Sequence, residues 1–109
     1  MPNSREWHVV LARFVVEVEK QTRGTQTVLH SLFLVKAVDE KDAVRRLRPQ
    51  FDHLARPSPN ARGELTRCRL DRVVQVDLAG FDAPNPDGVE IFTGLMKDRK
   101  MNPESAWTP

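Results

Sequence analysis

Two long apolar segments separated by a short turn constrain the fold of this chain more than any other feature. Residues 7–19 and 27–38 are rich in β-branched and aromatic residues, which favour strands. Residues 22–25 between them have turn composition, and Gly24 can adopt a positive φ without steric cost. The pattern predicts a β-hairpin of two long strands. A two-residue loop at positions 23 and 24 would place residue 17 opposite residue 30.

Both faces of this predicted hairpin are apolar over much of their length. The even-numbered side of the first strand is the more continuous one, and we expect it to form the core face. The odd-numbered side is also apolar in its first half, which exceeds what a monomer usually exposes. We therefore expect the second face to pack against another copy of the chain, as a homodimer. The candidate oligomer face consists of Trp7, Val9, Leu11, Val15, Leu32 and Leu34.

A helix follows the hairpin. Asp39 is a favourable N-cap, with Asp42 at the third helical position, and the segment places Ala43 and Leu47 on one side. Pro49 cannot donate a backbone hydrogen bond, so a break is expected there, followed by a second short helical piece. The sequence predicts one main helix that packs its apolar side on the sheet.

Two further strands complete the predicted domain. Residues 67–78 alternate between apolar and polar side chains, as a half-exposed strand does, and residues 89–96 form a shorter apolar segment. Residues 79–88 contain prolines and glycines and predict a loop, in which Asp82 and Asp87 are turn residues.

The predicted order β-β-α-β-β indicates an α+β fold, a two-layer sandwich. An antiparallel sheet of about four strands would carry one main helix on one face. A chain of 109 residues fits one domain. We place that domain at residues 1–96 and expect residues 97–109 to form a flexible C-terminal tail, with Trp107 as its one large apolar residue.

Charge is distributed unevenly along the chain. The net charge is only +2, yet arginines are concentrated in residues 45–72, and residues 77–92 carry only acidic charges. Arginine binds phosphates and carboxylates bidentately, so the basic stretch could bind nucleic acid, an acidic protein or another copy of the chain. It could also be a solvated face. The candidate anion or partner patch consists of Arg45, Arg46, Arg48, Arg67, Arg69 and Arg72.

The residue types that carry catalysis show no characteristic spacing. The three histidines, His8, His30 and His53, lack metal-ligand spacing, and Cys68 is the single cysteine, which we expect to be a structural thiol. In the predicted register Glu17 and His30 form a cross-strand surface pair. There is no glycine-rich phosphate loop and no nucleophile motif. We therefore predict no catalytic residues, no metal site and no cofactor, and a protein that is not an enzyme.

The chain has no apolar window long enough to span a bilayer, and its first residues lack the pattern of a signal peptide. These features predict a cytoplasmic protein that does not bind membranes.

Three short stretches together are similar to a known family. They are Trp7 at the start of a strand that ends in Glu17, residues 34–37 followed by Glu40 and Ala43, and residues 87–93. Their order resembles a family of small bacterial proteins classified as domain of unknown function 4288, over residues 7 to 96. The family has no assigned activity, so the resemblance implies a bacterial source and carries over no catalytic residue.

The sequence thus favours a non-enzymatic, homo-oligomeric interaction or regulatory module. The alternative is a nucleic-acid-binding accessory protein that uses the arginine-rich region 45–72. A third hypothesis is a small enzyme whose site forms between subunits.

Overall fold

The computed structural model of the chain describes residues 4–79 and 89–109, without the side chains of residues 89–98. Within these residues the chain forms one antiparallel sheet of five strands and one α-helix, which confirms the predicted α+β two-layer sandwich. The elements are β1 (Glu6–Val18), β2 (Thr25–Ala37), α1 (Glu40–Leu54), β3 (Ser58–Pro59), β4 (Leu65–Leu78), β5 (Val89–Lys100) and a 3-10 turn (Pro103–Ser105). The described helices include none with the length and apolarity needed to cross a bilayer.

The strand order β3-β4-β1-β2-β5 places the hairpin at the centre of the sheet. β1 pairs with β2 on one side and with β4 on the other, and β5 pairs with the outer side of β2. Because β1 and β2 have neighbours on both sides, their backbone groups are satisfied along most of their length. β3 is a two-residue strand that pairs only with the first residues of β4.

The hairpin forms, but with a different register from the predicted one. Glu6 lies opposite Ala37 and Val15 lies opposite Val28, so each pair is four positions from the prediction. Residues 19–24 form a wider connection, which the Gln21 side chain braces by donating to the carbonyls of residues 23 and 25, at 3.1 Å each. A shift of four is even, so every side chain keeps its predicted face.

The core lies between α1 and the even-numbered side of β1, as predicted. Three phenylalanines from three elements meet there: Phe14 of β1, Phe33 of β2 and Phe51 of α1. Their ring centroids are 5.4 to 6.2 Å apart and their planes are tilted or edge-to-face, the geometry that aromatic pairs prefer. Each ring is at most 2% exposed. This contact fixes the helix on the sheet.

The helix begins as predicted, at the N-cap Asp39, whose carboxylate accepts a hydrogen bond from the Asp42 amide at 2.8 Å. Asp42 in turn accepts from the Val38 amide at 3.0 Å and from the side chains of Arg45 and Arg46. The two carboxylates therefore satisfy amides on both sides of the helix start.

The helix is continuous through Pro49, contrary to the predicted break. Proline removes the hydrogen bond to the carbonyl of the residue four positions earlier, Arg45. Both residues are exposed, so that carbonyl can be hydrated. Beyond the proline, Phe51 is buried in the core and holds the last turns of the helix against the sheet.

The end of the chain also differs from the prediction of a domain that stops at residue 96. β5 extends to Lys100, and Met101 and Trp107 are buried beyond it. The reason is that β2 is long enough to pair with residues 97–100. Of the predicted loop 79–88, Ala79 donates to the Trp7 carbonyl at 2.8 Å, and the remainder, with Asp82 and Asp87, lies outside the described residues.

We expect Phe51→Ala to lower the free energy of unfolding by about 3–5 kcal/mol, because it leaves a cavity between the other two rings. The neighbouring Asp52→Ala is the control; Asp52 is exposed, so its replacement should change stability by less than about 0.5 kcal/mol. Chemical denaturation of the three proteins measures both effects. Equal stability of the two variants would contradict the aromatic contact as the main anchor of the helix.

We expect the Asp42 carboxylate to make stability depend on acid pH. The Arg46 side chain and the Val38 amide hold its pKa well below the ordinary value. Its contribution is therefore complete above about pH 4 and is lost as the pH falls toward the lowered pKa. Asp42→Asn should be less stable than wild type at neutral pH, with a difference that shrinks in acid. Denaturant titrations at several pH values between acid and neutral measure the difference, and a difference that does not change with pH would contradict this role of Asp42.

Candidate interaction surfaces

The six residues of the candidate oligomer face lie on one side of the central hairpin, opposite the helix. Half of them are not accessible: Trp7, Val15 and Leu34 are buried, at 7%, 0% and 4% exposure. The other three, Val9, Leu11 and Leu32, are half-buried. The expectation that this whole face lies in water is therefore wrong, and only its middle remains partly accessible.

Long charged side chains help to cover the apolar positions on this face. Arg69 of β4 stands beside Val15 in the sheet, and its guanidinium reaches Glu17, two positions along β1. The aliphatic part of an arginine commonly covers apolar surface while its charged end finds a partner. Val15 is consequently buried within the protomer and is not available to a partner.

Glu17 is the centre of a buried ion cluster at this end of the face. Its side chain is 5% exposed, and one carboxylate oxygen, Oε1, lies 2.8 Å from Arg67 Nε and 3.1 Å from Arg69 Nε. A buried carboxylate requires such partners because burial without them is costly. The predicted pair between Glu17 and His30 is wrong, since the observed register places His30 opposite Arg13.

The end of the chain packs over this cluster. The Trp107 ring lies against Arg67, with the guanidinium carbon 4.5 Å from the ring centroid, and Trp107 is 9% exposed. Its carbonyl accepts a hydrogen bond from the Lys20 amide at 2.8 Å. Lys20 has a φ of 60°, an uncommon conformation for a residue other than glycine. The ion cluster thus serves as the base on which Trp107 docks.

We name residues 101–107 the C-terminal strap. It is fixed at its two ends: Met101 is 4% exposed and donates its amide to the Gly24 carbonyl at 2.8 Å, and Trp107 docks on Arg67. Residues 102–105 between the anchors are exposed. The buried Gln26 accepts from Arg99 at 3.2 Å just before the strap. The strap covers the candidate oligomer face at the end that lies next to the β1–β2 connection.

The structure divides the candidate arginine patch between the two sides of the sheet. Arg45, Arg46 and Arg48 belong to α1, which packs on the even-numbered side of β1. The strand arginines belong to the other side, where Arg67 and Arg69 bind Glu17, an odd-numbered residue of β1, and Arg72 lies opposite Arg13. The six residues therefore do not form one surface.

Most of these arginines also have carboxylate partners. Arg45 and Arg46 bind Asp42, while Arg67 and Arg69 bind Glu17. Arg48 and Arg72 are exposed, and the described part of the chain provides neither with an ion-pair partner. An arginine already paired with a carboxylate offers less attraction to a phosphate. Four of the six candidate arginines are thus part of ion pairs within the protomer.

Among the strands whose side chains the structure describes in full, β4 has the most accessible apolar residues. Val74 is 37% exposed and Leu78 is 64% exposed, and they are the two large hydrophobic residues in the exposed class within the described chain. On its outer side β4 pairs with β3 only at residues 65 and 66. Between residues 67 and 78 no described strand covers that side, so β4 presents a long open edge.

Two irregularities interrupt β4 opposite β1. The register shifts between Leu11 and Ala12, and again between Arg13 and Phe14, so that Val74 and Asp71 are extra residues on β4. Each is a β-bulge. The second brings the Asp71 carboxylate to 3.4 Å from Arg13 Nε, which gives that half-buried arginine a counter-charge.

The histidines and the cysteine are dispersed in the fold. His8 is 3% exposed and its Nδ1 lies 2.8 Å from the Glu6 carbonyl oxygen, whereas His53 is exposed on α1. Cys68 is a half-buried thiol of β4. Among the residues that the structure describes, no group of three His, Cys, Asp or Glu side chains is arranged to hold a metal ion.

An open cleft of about 560 Å³ lies at the turn end of the sheet, between the β1–β2 connection and the turn that precedes β4. Its acidic side chains both have structural partners. Glu19 accepts from the Leu65 amide at 3.0 Å, and Glu64 accepts from the Asn60 side chain at 3.3 Å. The cleft is thus lined by groups that hold the surrounding turns together.

Comparisons of the chain with family models, with curated proteins and with solved structures find no match in any of the three. The resemblance to the family of unknown function 4288 stays a prediction.

The strap and the bulges of β4 are two features of these surfaces that the sequence prediction missed. The strap lacks an apolar period, and its single signal is Trp107. The bulges of β4 do leave a trace: Leu70, Val73, Val76 and Leu78 are apolar at spacings of three, three and two, where a regular strand requires two throughout. That change of spacing marks the two extra residues.

We expect Trp107→Ala to lower the free energy of unfolding by about 2 kcal/mol, because it removes the buried ring and exposes the Glu17 cluster. Thr108→Ala changes an exposed neighbour and should leave stability unchanged. Thermal unfolding measures both effects. The Lys20 amide donates a hydrogen bond to the Trp107 carbonyl, so its hydrogen-exchange rate should rise only in the first variant. An unchanged Lys20 exchange rate would contradict docking of the strap.

Proposed function

We propose that this protein is a non-enzymatic interaction module that assembles with a second copy of itself. The observation that carries the proposal is the position of the exposed apolar side chains. Val74 and Leu78, the two large hydrophobic residues in the exposed class among the described ones, lie on the same strand, and that strand has an open edge. Exposed apolar surface on an unpaired strand is a favoured site of protein association.

The dimensions of the two layers support the same proposal. A 13-residue strand is about 44 Å long, whereas the 15-residue helix is about 22 Å long. The helix therefore covers about half the length of the sheet.

The arrangement of the arginines gives the nucleic-acid alternative less support. Proteins that bind nucleic acids collect basic side chains on one continuous surface. Here the six candidates are divided between two sides of the sheet, and four of them neutralise the carboxylates of Glu17 and Asp42. The ion clusters of Glu17 and Asp42 therefore act within the protomer, and they leave fewer guanidinium groups free to bind phosphates.

We expect the purified protein to elute as a dimer at micromolar concentration. Light scattering coupled to size exclusion should give twice the chain mass of 12.5 kDa. Association through apolar surface should persist in high salt, whereas association through charged patches should weaken. A monomer at every concentration tested would overturn the proposal. A dimer that dissociates in salt would place the interface on the arginines instead.

A further inference from the structure

The hydrogen bonds at the two ends of β4 show which of its residues direct their backbone N–H and C=O groups toward β1 and which direct them outward. At one end the Leu65 carbonyl accepts from the Glu19 amide at 2.9 Å, and at the other the Ala79 amide donates to the Trp7 carbonyl at 2.8 Å. Residues 65 and 79 therefore direct their backbone groups toward β1. In an antiparallel ladder the direction alternates from one residue to the next, except that a bulge adds one residue.

Counting inward from both ends identifies the residues that point away from β1. With the two bulges at residues 71 and 74 taken into account, these are positions 66, 68, 70, 73, 76 and 78. Thr66 pairs with β3. For the others no described strand lies on that side, and the Leu70 carbonyl has a contact of 3.5 Å with Arg69 Nη1. The backbone of Val73, Val76 and Leu78 is thus directed at the open edge.

These outward positions are symmetric about Val73. Positions 70 and 76 lie three residues to either side of it, and positions 68 and 78 lie five residues to either side. The bulges are the reason: each adds one residue to one half of the strand, so the two halves have equal length. Any other axis would place a bulge of one copy opposite a regular stretch of the other, so the two bulges together single out the axis at Val73.

We propose that β4 pairs with β4 of a second copy, antiparallel, about a two-fold axis at Val73. This rests on the proposed function, and it names both the surface and the partner. Val73 would exchange backbone hydrogen bonds with Val73 of the second copy, and position 70 would do so with position 76. The two sheets then become one continuous sheet with both helices on the same side.

The side chains complement each other in this register. On the helix side Leu70 packs beside Val76 of the second copy, and the exposed Leu78 packs beside Cys68. On the opposite side Arg69, whose Nε binds Glu17, would lie beside Asp77, which accepts from Gln75 within its own protomer. A base therefore lies next to an acid twice in the dimer, and like charges do not meet. Cross-strand apolar and opposite-charge pairs of this kind stabilise sheets. Shifting the axis by one residue to position 72 would bring two copies of Arg72 together.

Bulges on edge strands commonly prevent unwanted pairing, because they break the regular spacing that another strand needs. That protection holds against an ordinary strand. It does not hold against a second β4, because each bulge then faces the other bulge and the spacing matches. The same irregularity therefore selects a copy of this chain over a regular extended peptide.

Val73→Pro tests the backbone contact directly. The Val73 amide points away from β1, so proline removes no hydrogen bond within the protomer but removes two at the axis of the dimer. We expect the dimer dissociation constant to rise by about tenfold or more. Leu78→Lys should also weaken the dimer, because it places a charge at the apolar seam. Val74→Ser distinguishes the edge from the sheet face: Val74 is the extra residue of a bulge and directs no amide outward, so edge pairing predicts a smaller loss of affinity than Leu78→Lys causes. The control Thr22→Lys introduces the same charge at an exposed position of the β1–β2 connection and should leave the dimer intact.

Hydrogen exchange of the wild-type protein tests the register without a substitution. The amides of Val73 and Val76 should be protected at high protein concentration and should exchange rapidly after dilution below the dissociation constant. The Arg67 amide, which points toward β1, should remain protected under both conditions. This comparison holds even if Val73→Pro fails to fold, which circular dichroism would reveal.

The outcomes separate the two proposals. A wild-type protein that is always monomeric overturns the proposed function and the edge pairing together. A wild-type dimer in which Leu78→Lys has no effect, and in which exchange at Val73 does not depend on concentration, overturns the edge pairing alone. If Val74→Ser dissociates the dimer while the Leu78→Lys variant stays dimeric, the edge pairing is also overturned, and the interface lies on the face of the sheet.

Discussion

The packing of three phenylalanines from β1, β2 and α1 is the contact on which the rest of the structure depends. It fixes the helix on one side of the central hairpin and thereby determines which side remains for other contacts. Phe51 also holds the helix together beyond Pro49, since the core contact offsets the lost backbone bond. Because the strands are about twice as long as the helix, the helix leaves part of the sheet uncovered.

The second side of the sheet is stabilised by charge rather than by another layer of apolar side chains. Glu17, with its two arginines and Trp107, converts the turn end of that side into a closed surface. This arrangement explains why an arginine-rich stretch of sequence does not produce a basic patch. Strand alternation places Arg67 and Arg69 on the side of the sheet where the buried Glu17 carboxylate lies. Among the described residues, the large hydrophobic side chains in the exposed class are both on β4.

Much of the fold was predictable because it depends on local patterns. Asp39 is an N-cap by its side-chain chemistry, and the even-numbered side of β1 is a core face by its alternation. The hairpin register was not predictable, because the Gln21 side chain stabilises a connection wider than the one suggested by residues 23 and 24. The pair of Glu17 with Arg67 was missed for a related reason. It joins residues fifty positions apart, and neither residue type specifies a partner at that distance.

By itself the sequence determined the types and order of the helix and the four long strands, and the face of each hairpin side chain, since these follow from periodicity and from turn and capping chemistry; the two-residue β3 was not among them. The tertiary structure decided which apolar residues are accessible. Val15 and Trp7 belong to an apolar pattern but are buried, whereas Leu78 belongs to the same kind of pattern and is exposed. The difference arises because accessibility depends on strand order and on what the end of the chain covers, and both result from contacts between distant residues.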